Sequence, residues 1–354
     1  MRNLFSIKAM NISMALLLSG IGIAANSQKA EPVKLVSAKG MDKIDVMIGG
    51  RLFTTLLFND SMYKPVLYPI YSSTGTMVTR GYPMYPKADE PTDHPHHVGL
   101  WFNYENVNGL DFWNNSFAIP AEKKSQYGWI KTDAITEKKD GNTGVLAYNA
   151  RWTNQKNETL ITEKTRYEFS GTPQLRIIDR ITTLTGVMDD VAFNDAKDGM
   201  LGLRMAHELQ IPAMKDQKFK DDKGIETIVK ATADRIAVGN YLTSEGKEGD
   251  SAWSTRAVWC KAYGKMGMDS VSISIIDHPS NPNYPTFWHA RGYGLFAANP
   301  LGEKVFTNGK SEKNLRLKKG ESVTFRYRIV ISSGGKTMSL NEINEFAKVF
   351  ENSI

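Results

Sequence analysis

One cysteine, Cys260, is all the thiol this chain has in 354 residues. That excludes an internal disulfide, and its position deep in the chain excludes a lipid-modified N-terminal cysteine. A secreted chain of this length can bury enough apolar surface to be stable without crosslinks, which small secreted domains usually need. Cys260 stands in AVWCKAY among apolar residues with no histidine near it in sequence, so it reads as core rather than as a nucleophile. Long apolar runs are also scarce. The stretch MALLLSGIGI (14–23) is too short to span a bilayer comfortably, and it follows Arg2 and Lys8 and precedes the small residues AANS. That is the layout of a cleavable secretory signal over residues 1–27, with a mature chain of 28–354 working in the periplasm or outside the cell. No later segment reaches spanning length, so no membrane partner is expected after cleavage. Missing too are a GxGxxG after a strand pattern and a P-loop, the marks of dinucleotide and nucleotide sites. The formal charge of +6 falls to +4 without Arg2 and Lys8, and the remaining lysines alternate with acids, as in KKSQYGWIKTDAITEKKDGN. No basic stripe remains for nucleic acid.

What is present is a succession of alternating segments broken by Gly, Asn and Asp. Residues 44–56 (IDVMIGGRLFTTL) predict a hairpin turning at Gly49-Gly50, where the backbone needs positive φ. Residues 160–169 and 174–184 are separated by the turn SGTP, and 271–276 and 322–331 continue the pattern. In the last of these Val323, Phe325, Tyr327 and Ile329 share one face. One helix is written clearly, in SLNEINEFAKVFEN, with Ser339 and Glu342 spaced as a capping box and Ile343, Phe346, Ala347 and Phe350 as its apolar stripe. It is expected to cover a sheet edge or one end of a sandwich. The charged stretch 215–224 is expected to be a solvated excursion. The length suits two average domains or one large β unit, and the pattern is all-β and antiparallel.

All six histidines fall in three groups, each beside acidic, basic or tryptophan residues. DHPHHVGLWF (93–102) holds His94, His96 and His97 ahead of Trp101, and NVNGLDFW adds Asp111 and Trp113. In an extended chain His94 and His96 point to one face and His97 to the other. FNDAKDGMLGLRMAHEL carries Asp198, Arg204, His207 and Glu208. IIDHPSNPNYPTFWHARGYGLFAANP carries Asp277, His278, Asn281, Trp288, His289, Arg291, Tyr293 and Asn299. Taken singly, each has a structural explanation: a strand tryptophan is usually core, and Asp-His-Pro is a turn. Their grouping at strand ends, where rigid sandwiches build sites, points to function.

These same motifs resemble the secreted bacterial PmoA-like family, a domain of unknown function whose members are commonly labelled methane oxygenase. The resemblance spans nearly the whole mature chain and implies a single β-sandwich domain over 28–354. A particulate methane monooxygenase subunit is an integral membrane protein; this chain has no spanning helices, and methane oxidation is not expected of it. The chain is also similar to the galactose-mutarotase-like supersandwich proteins, which implies a large antiparallel sandwich with a short C-terminal helix and a sugar-related ligand.

The reading that follows is a carbohydrate-active lyase, epimerase or hydrolase working by acid–base chemistry without a cofactor. His97 or His207 would transfer the proton, since imidazole titrates near neutrality, with His289 in the same pocket. Arg204 and Arg291 would hold an anionic or polarised oxygen, and Asp111 and Asp277 would orient the imidazoles. Trp101, Trp113, Trp288 and Tyr293 would offer flat faces to a pyranose ring, and His94, His96, Asn281 and Asn299 would fix its hydroxyls. A second reading places Zn or Fe on His94, His96 and His207. A third is a glycan-binding module without catalysis. In each the partner is a small molecule or an oligosaccharide.

Overall fold

A computed structural model describes residues 29–37, 39–87, 90–220, 226–229, 231 and 236–353. The expected signal segment lies outside the described residues. The chain opens with β1 (Val33–Ser37), β2 (Lys43–Ile48), β3 (Arg51–Leu57), β4 (Val66–Ile70) and β5 (Leu100–Tyr104). Long strands follow: β6 (Trp129–Lys139), β7 (Gly144–Thr153), β8 (Thr159–Gly171) and β9 (Leu175–Gly186). Then come β10 (Asp190–Phe193), β11 (Gly199–Arg204), β12 (Gln217–Lys220), β13 (Glu226–Val229), β14 (Asn240–Thr243), β15 (Trp259–Met266) and β16 (Asp269–Asp277). The last are β17 (Phe287–Ala290), β18 (Leu295–Asn299), the short helix α1 (Glu303–Phe306), β19 (Leu315–Lys318), β20 (Ser322–Ser332) and helix α2 (Leu340–Glu351).

Sixteen of these strands make two antiparallel eight-stranded sheets. The first runs β1-β2-β3-β4-β5-β11-β18-β17 and the second β14-β15-β16-β20-β9-β8-β7-β6. The expected large antiparallel sandwich is therefore the architecture observed. Gly49 and Gly50, at φ +59° and +78°, close the β2–β3 hairpin as their sequence requires. The period-two alternation sends Phe325, Tyr327, Ile329 and Ile331 of β20 inward, against Leu100, Phe102, Phe296 and Ala298 of the first sheet. Cys260 is fully buried in that inter-sheet core.

One expectation needs correcting. Helix α2 does not cover an edge or an end. It lays Ile343 and Phe350 on the outer face of the second sheet, against Trp259, Ile276 and Val330, with the Ser339–Glu342 capping box formed as read. The charged stretch from Lys215 leads into β12, which pairs only with β13 in a two-stranded sheet apart from the two large ones. Among the described residues no helix is long and apolar enough to cross a membrane.

Candidate functional site

The first sheet has a second packed face. On β5, β11 and β18, alternation sends Trp101, Gly202 and Ala297 away from the inter-sheet core, and Trp101, Trp113, Val66, Leu295 and Ala297 form a small apolar cluster there. Register aligns His289, Ala297, Gly202, Trp101 and Val66 in one row across five strands. A Cβ on Gly202 would meet the Trp101 ring at 2.5 Å and the Trp113 ring at 2.8 Å. Glycine is thus what lets the two indoles lie down on the sheet.

Above this floor sits the histidine turn. The backbone of residues 94–97 is not extended: His94 has φ +48°, and His97 N–H donates to the His94 carbonyl at 3.0 Å. The expectation that His97 points away from the other two is therefore wrong, because a turn has replaced the strand on which it rested. The three rings bundle, with centroids of His94 and His97 4.8 Å apart and those of His96 and His97 4.3 Å apart. Four rings stack in file: Tyr293 on His94 (5.3 Å), His94 on His97 and His97 on Trp101 (5.1 Å), with Trp113 edge-on to Trp101.

Two buried arginines hold the turn. Arg80 donates to the carbonyls of Asp93 (2.6 Å) and His94 (2.8 Å) and to Asp93 Oδ1 (2.9 Å). Arg204 donates to the same Asp93 oxygen at 2.8 Å and to His97 Nδ1 at 3.3 Å, with its guanidinium over the Tyr293 ring. An arginine cannot accept, so His97 Nδ1 must, and the ring is neutral with its proton on Nε2. Burial first, and then the neighbouring His96 and Arg204, hold the His97 pKa well below its ordinary value. Burial pushes the Asp93 carboxyl up, but Arg204, the hydrogen bond from His94 and Arg80 outweigh it and leave it well below the carboxylate range. Burial and the adjacent Arg204 bring Arg80 down to about 9.

Asp198 and His289 meet on the same face. His289 Nδ1 lies 3.3 Å from Asp198 Oδ1 and has no hydrogen-bond partner. Burial, then Arg291 and Lys197, lower His289 to about 3, whereas burial raises Asp198, opposed by Lys197. The two shifts run in opposite directions, each toward the uncharged form of its group. Asn299, fully buried, donates to the carbonyls of Ala196 (2.9 Å) and Lys197 (2.8 Å) and so positions the loop carrying Asp198. Glu105 accepts the Asp198 N–H at 3.0 Å. Asp111 acts electrostatically on Asp198 and on Lys64, a buried lysine that burial lowers to about 7.

The structure thus gathers His94, His96, His97, Arg204, Asp111, His289, Arg291 and Tyr293 on one face, with Trp101 and Trp113 beneath. It separates others. Trp288 points into the inter-sheet core and donates its indole N–H to the Ala257 carbonyl at 2.9 Å, so it walls no pocket. Trp101 and Trp113 are at most 1% exposed, which leaves them no face for a sugar. Asp277 accepts from Asn281 Nδ2 (2.7 Å) and Thr286 N–H (2.8 Å), and Asn281 also bonds Arg326; both close a loop beyond β16 and orient no imidazole. Asp111 is engaged by Asn114, through its backbone and side-chain N–H, rather than by a histidine. Asn299 spends both its amide hydrogens on backbone carbonyls, not on a ligand. His207 lies in a buried 3₁₀ turn, His207–Leu209, that packs on β15 of the second sheet. The metal set His94, His96 and His207 is not assembled: among the described residues no three His, Cys, Asp or Glu side chains are grouped to hold an ion.

Sequence reading missed Lys64, Arg80 and Asp93 and undervalued Asp198. Lys64 and Arg80 are isolated basic residues with no motif around them. Asp93, read as a turn former, is also the counter-ion of two arginines.

No curated protein matches the chain in sequence. Among solved structures it is similar to a candidate aldose 1-epimerase from Escherichia coli K12, at 8% identity and a TM-score of 0.33, over 86% of this chain and 99% of that one. It is similar to the GH36 α-galactosidase AgaB from Geobacillus stearothermophilus, at 9% identity and a TM-score of 0.37, over 85% of this chain and 41% of that longer one. The Slr1438 protein from Synechocystis sp. PCC 6803 aligns at 9% identity and a TM-score of 0.28, over 92% and 99%. A family model matches residues 43–348, and the chain therefore belongs to DUF6807, a family of unknown function.

Proposed function

We propose that the outer face of the first sheet is the active site of a carbohydrate-active enzyme that moves protons with its own side chains. One observation carries this reading: a carboxyl whose pKa burial raises faces an imidazole whose pKa burial depresses, Asp198 against His289 at 3.3 Å. Pairs whose environments push their affinities apart are how acid and base roles are divided at neutral pH. Asp198 would give a proton, with the neutral His289 Nδ1 facing it as an acceptor. His97, held neutral with Nε2–H outermost from Arg204, would serve the opposite side of the ligand. Arg291, within electrostatic reach of His289, would hold a polarised oxygen.

A sugar suits the face because carboxyl and N–H groups border it beside the rings of His94 and Tyr293, which matches a ligand dense in hydroxyls with one apolar ring face. With the N-terminal residues read as a secretory signal, the ligand would be met in the periplasm or outside the cell.

The test is ¹H NMR in D₂O with a panel of neutral and acidic sugars and glycosides, reading epimerisation, elimination or hydrolysis. Asp198→Asn should lower kcat by about 10²–10⁴-fold, the usual worth of a positioned acid or base. Binding should stay within about tenfold, since such a group acts mainly in the transition state. Binding of a panel sugar with no turnover in the unmodified protein would give the site to a binding module instead.

A further inference from the structure

Beside the histidine turn lies a cavity of about 280 Å³ whose walls include Met62, Val66, Pro83, Met84, Val98 and Phe117. Into this apolar lining comes one amine. Lys64 is 3% exposed, and its Nζ makes one hydrogen bond, donating to the His96 carbonyl at 2.9 Å. An ammonium has three donors. Among the described residues no carboxylate stands at ion-pair distance from it; Asp111 acts from farther away, with both oxygens engaged by Asn114. Two more buried polar atoms of the same lining, His96 Nε2 and Asn115 Oδ1, have no hydrogen-bond partner. Leaving such groups unmatched is costly, a cost that a ligand would recover.

We propose that this cavity receives an acidic sugar, its carboxylate on the Lys64 amine and its hydroxyls on Asn115 Oδ1 and His96 Nε2. The sugar class rests on the function proposed above; the carboxylate is argued from the cavity alone. A neutral ligand would leave the protonated amine only the His96 carbonyl and the Trp101 ring face, 5.6 Å away, and a purely apolar one would leave His96 Nε2 and Asn115 Oδ1 unmatched as well. The space lies near the lower end of what small-molecule pockets offer, about 300 Å³, which suits a single ring. His96 faces the amine from its own turn with His94, Arg80 and Arg204 beyond it; Asp93, shared by both arginines, and Glu90 act on that side, and Asp111 faces from the neighbouring loop. Because burial leaves the amine near neutrality at about 7, a bound carboxylate brings a proton onto it.

Isothermal titration calorimetry with D-glucuronate and D-galacturonate against D-glucose and D-galactose tests the assignment. The unmodified protein should bind the uronates at least tenfold more tightly than the neutral sugars, and should take up protons as it does so, read as a binding heat that changes with buffer ionisation enthalpy. Lys64→Met should remove the preference. Asn115→Asp, which sets a second carboxylate against the ligand's while keeping Lys64, should remove it too, and decides the matter if the first variant does not fold. Equal affinity for acidic and neutral sugars, or a preference that survives Lys64→Met, overturns the proposal. Lysine-dependent uronate binding with no turnover of any sugar would keep this site and end the catalytic reading. Turnover of neutral sugars without a uronate preference would do the opposite.

Discussion

Arg80 and Arg204 are both 1% exposed or less, and both send a guanidinium to one oxygen of Asp93. Burying two cations on one anion is costly unless the remaining N–H groups are satisfied; carbonyls of the 91–97 segment take the Nη1 and Nη2 groups of Arg80, whereas the Nε of each arginine has no hydrogen-bond partner. The turn thus takes its form from the arginines. His97 then titrates as a consequence, since Arg204 occupies its Nδ1 and burial disfavours a second proton. In the unfolded chain an imidazole takes a proton near pH 6.5, whereas His97 in the fold takes it well below. Its stabilising neutral form is therefore fully populated above about pH 6.5, and the contribution is lost as pH falls, because the unfolded state binds the proton first. His97→Gln keeps an acceptor for Arg204 and cannot titrate. The urea midpoint should fall more for the unmodified protein than for this variant between about pH 7.5 and about pH 5.5, a window centred on the ordinary histidine pKa. Equal falls would mean that His97 is not held neutral.

At the scale of strands, the row His289–Ala297–Gly202–Trp101 places three inter-strand steps, about 14 Å, between the imidazole and the indole. Small residues in the middle two positions leave room above the sheet. Gly202→Ala should drive a methyl into the Trp101 and Trp113 rings, which are locked under His97 and cannot swing away. Overpacking of this kind costs about 1–3 kcal/mol, and the ring file above should shift with it. The urea midpoint should drop, and the tryptophan near-ultraviolet dichroism should change; an unaltered spectrum would show that the floor is looser than drawn. Much of this level was legible in the sequence: alternation gave β8, β9 and β20, Gly49-Gly50 gave a hairpin, and Ser339 with Glu342 gave a helix start. The histidine turn was not legible. Its shape depends on a positive φ at His94 and on Arg80, thirteen residues before Asp93, and neither local spacing nor composition carries that information.

Which face of a sheet a residue takes is settled only by the whole molecule. His289 and Trp288 are neighbours in sequence, and alternation sends the first to the site and the second between the sheets. Grouping by sequence put both in one pocket, and the same reasoning drew in Asp277 and Asn281, which belong to a loop beyond the second sheet. Arg204, His289 and Tyr293 do come to one face, because β11, β18 and β17 lie side by side in the first sheet. Trp288 packs against Phe296, and its indole N–H is spent on Ala257. Trp288→Ala should therefore act on the sandwich rather than on the ligand, with a loss of about 3–5 kcal/mol as for other buried aromatics and one carbonyl left without its donor. The measurement is a urea titration paired with sugar affinity under conditions where the variant remains folded. A large fall in midpoint with Kd within about threefold, under 1 kcal/mol, is the expected pattern. Weaker binding at unchanged stability would put the indole back at the ligand and would contradict the assignment of the outer face of the first sheet as the site.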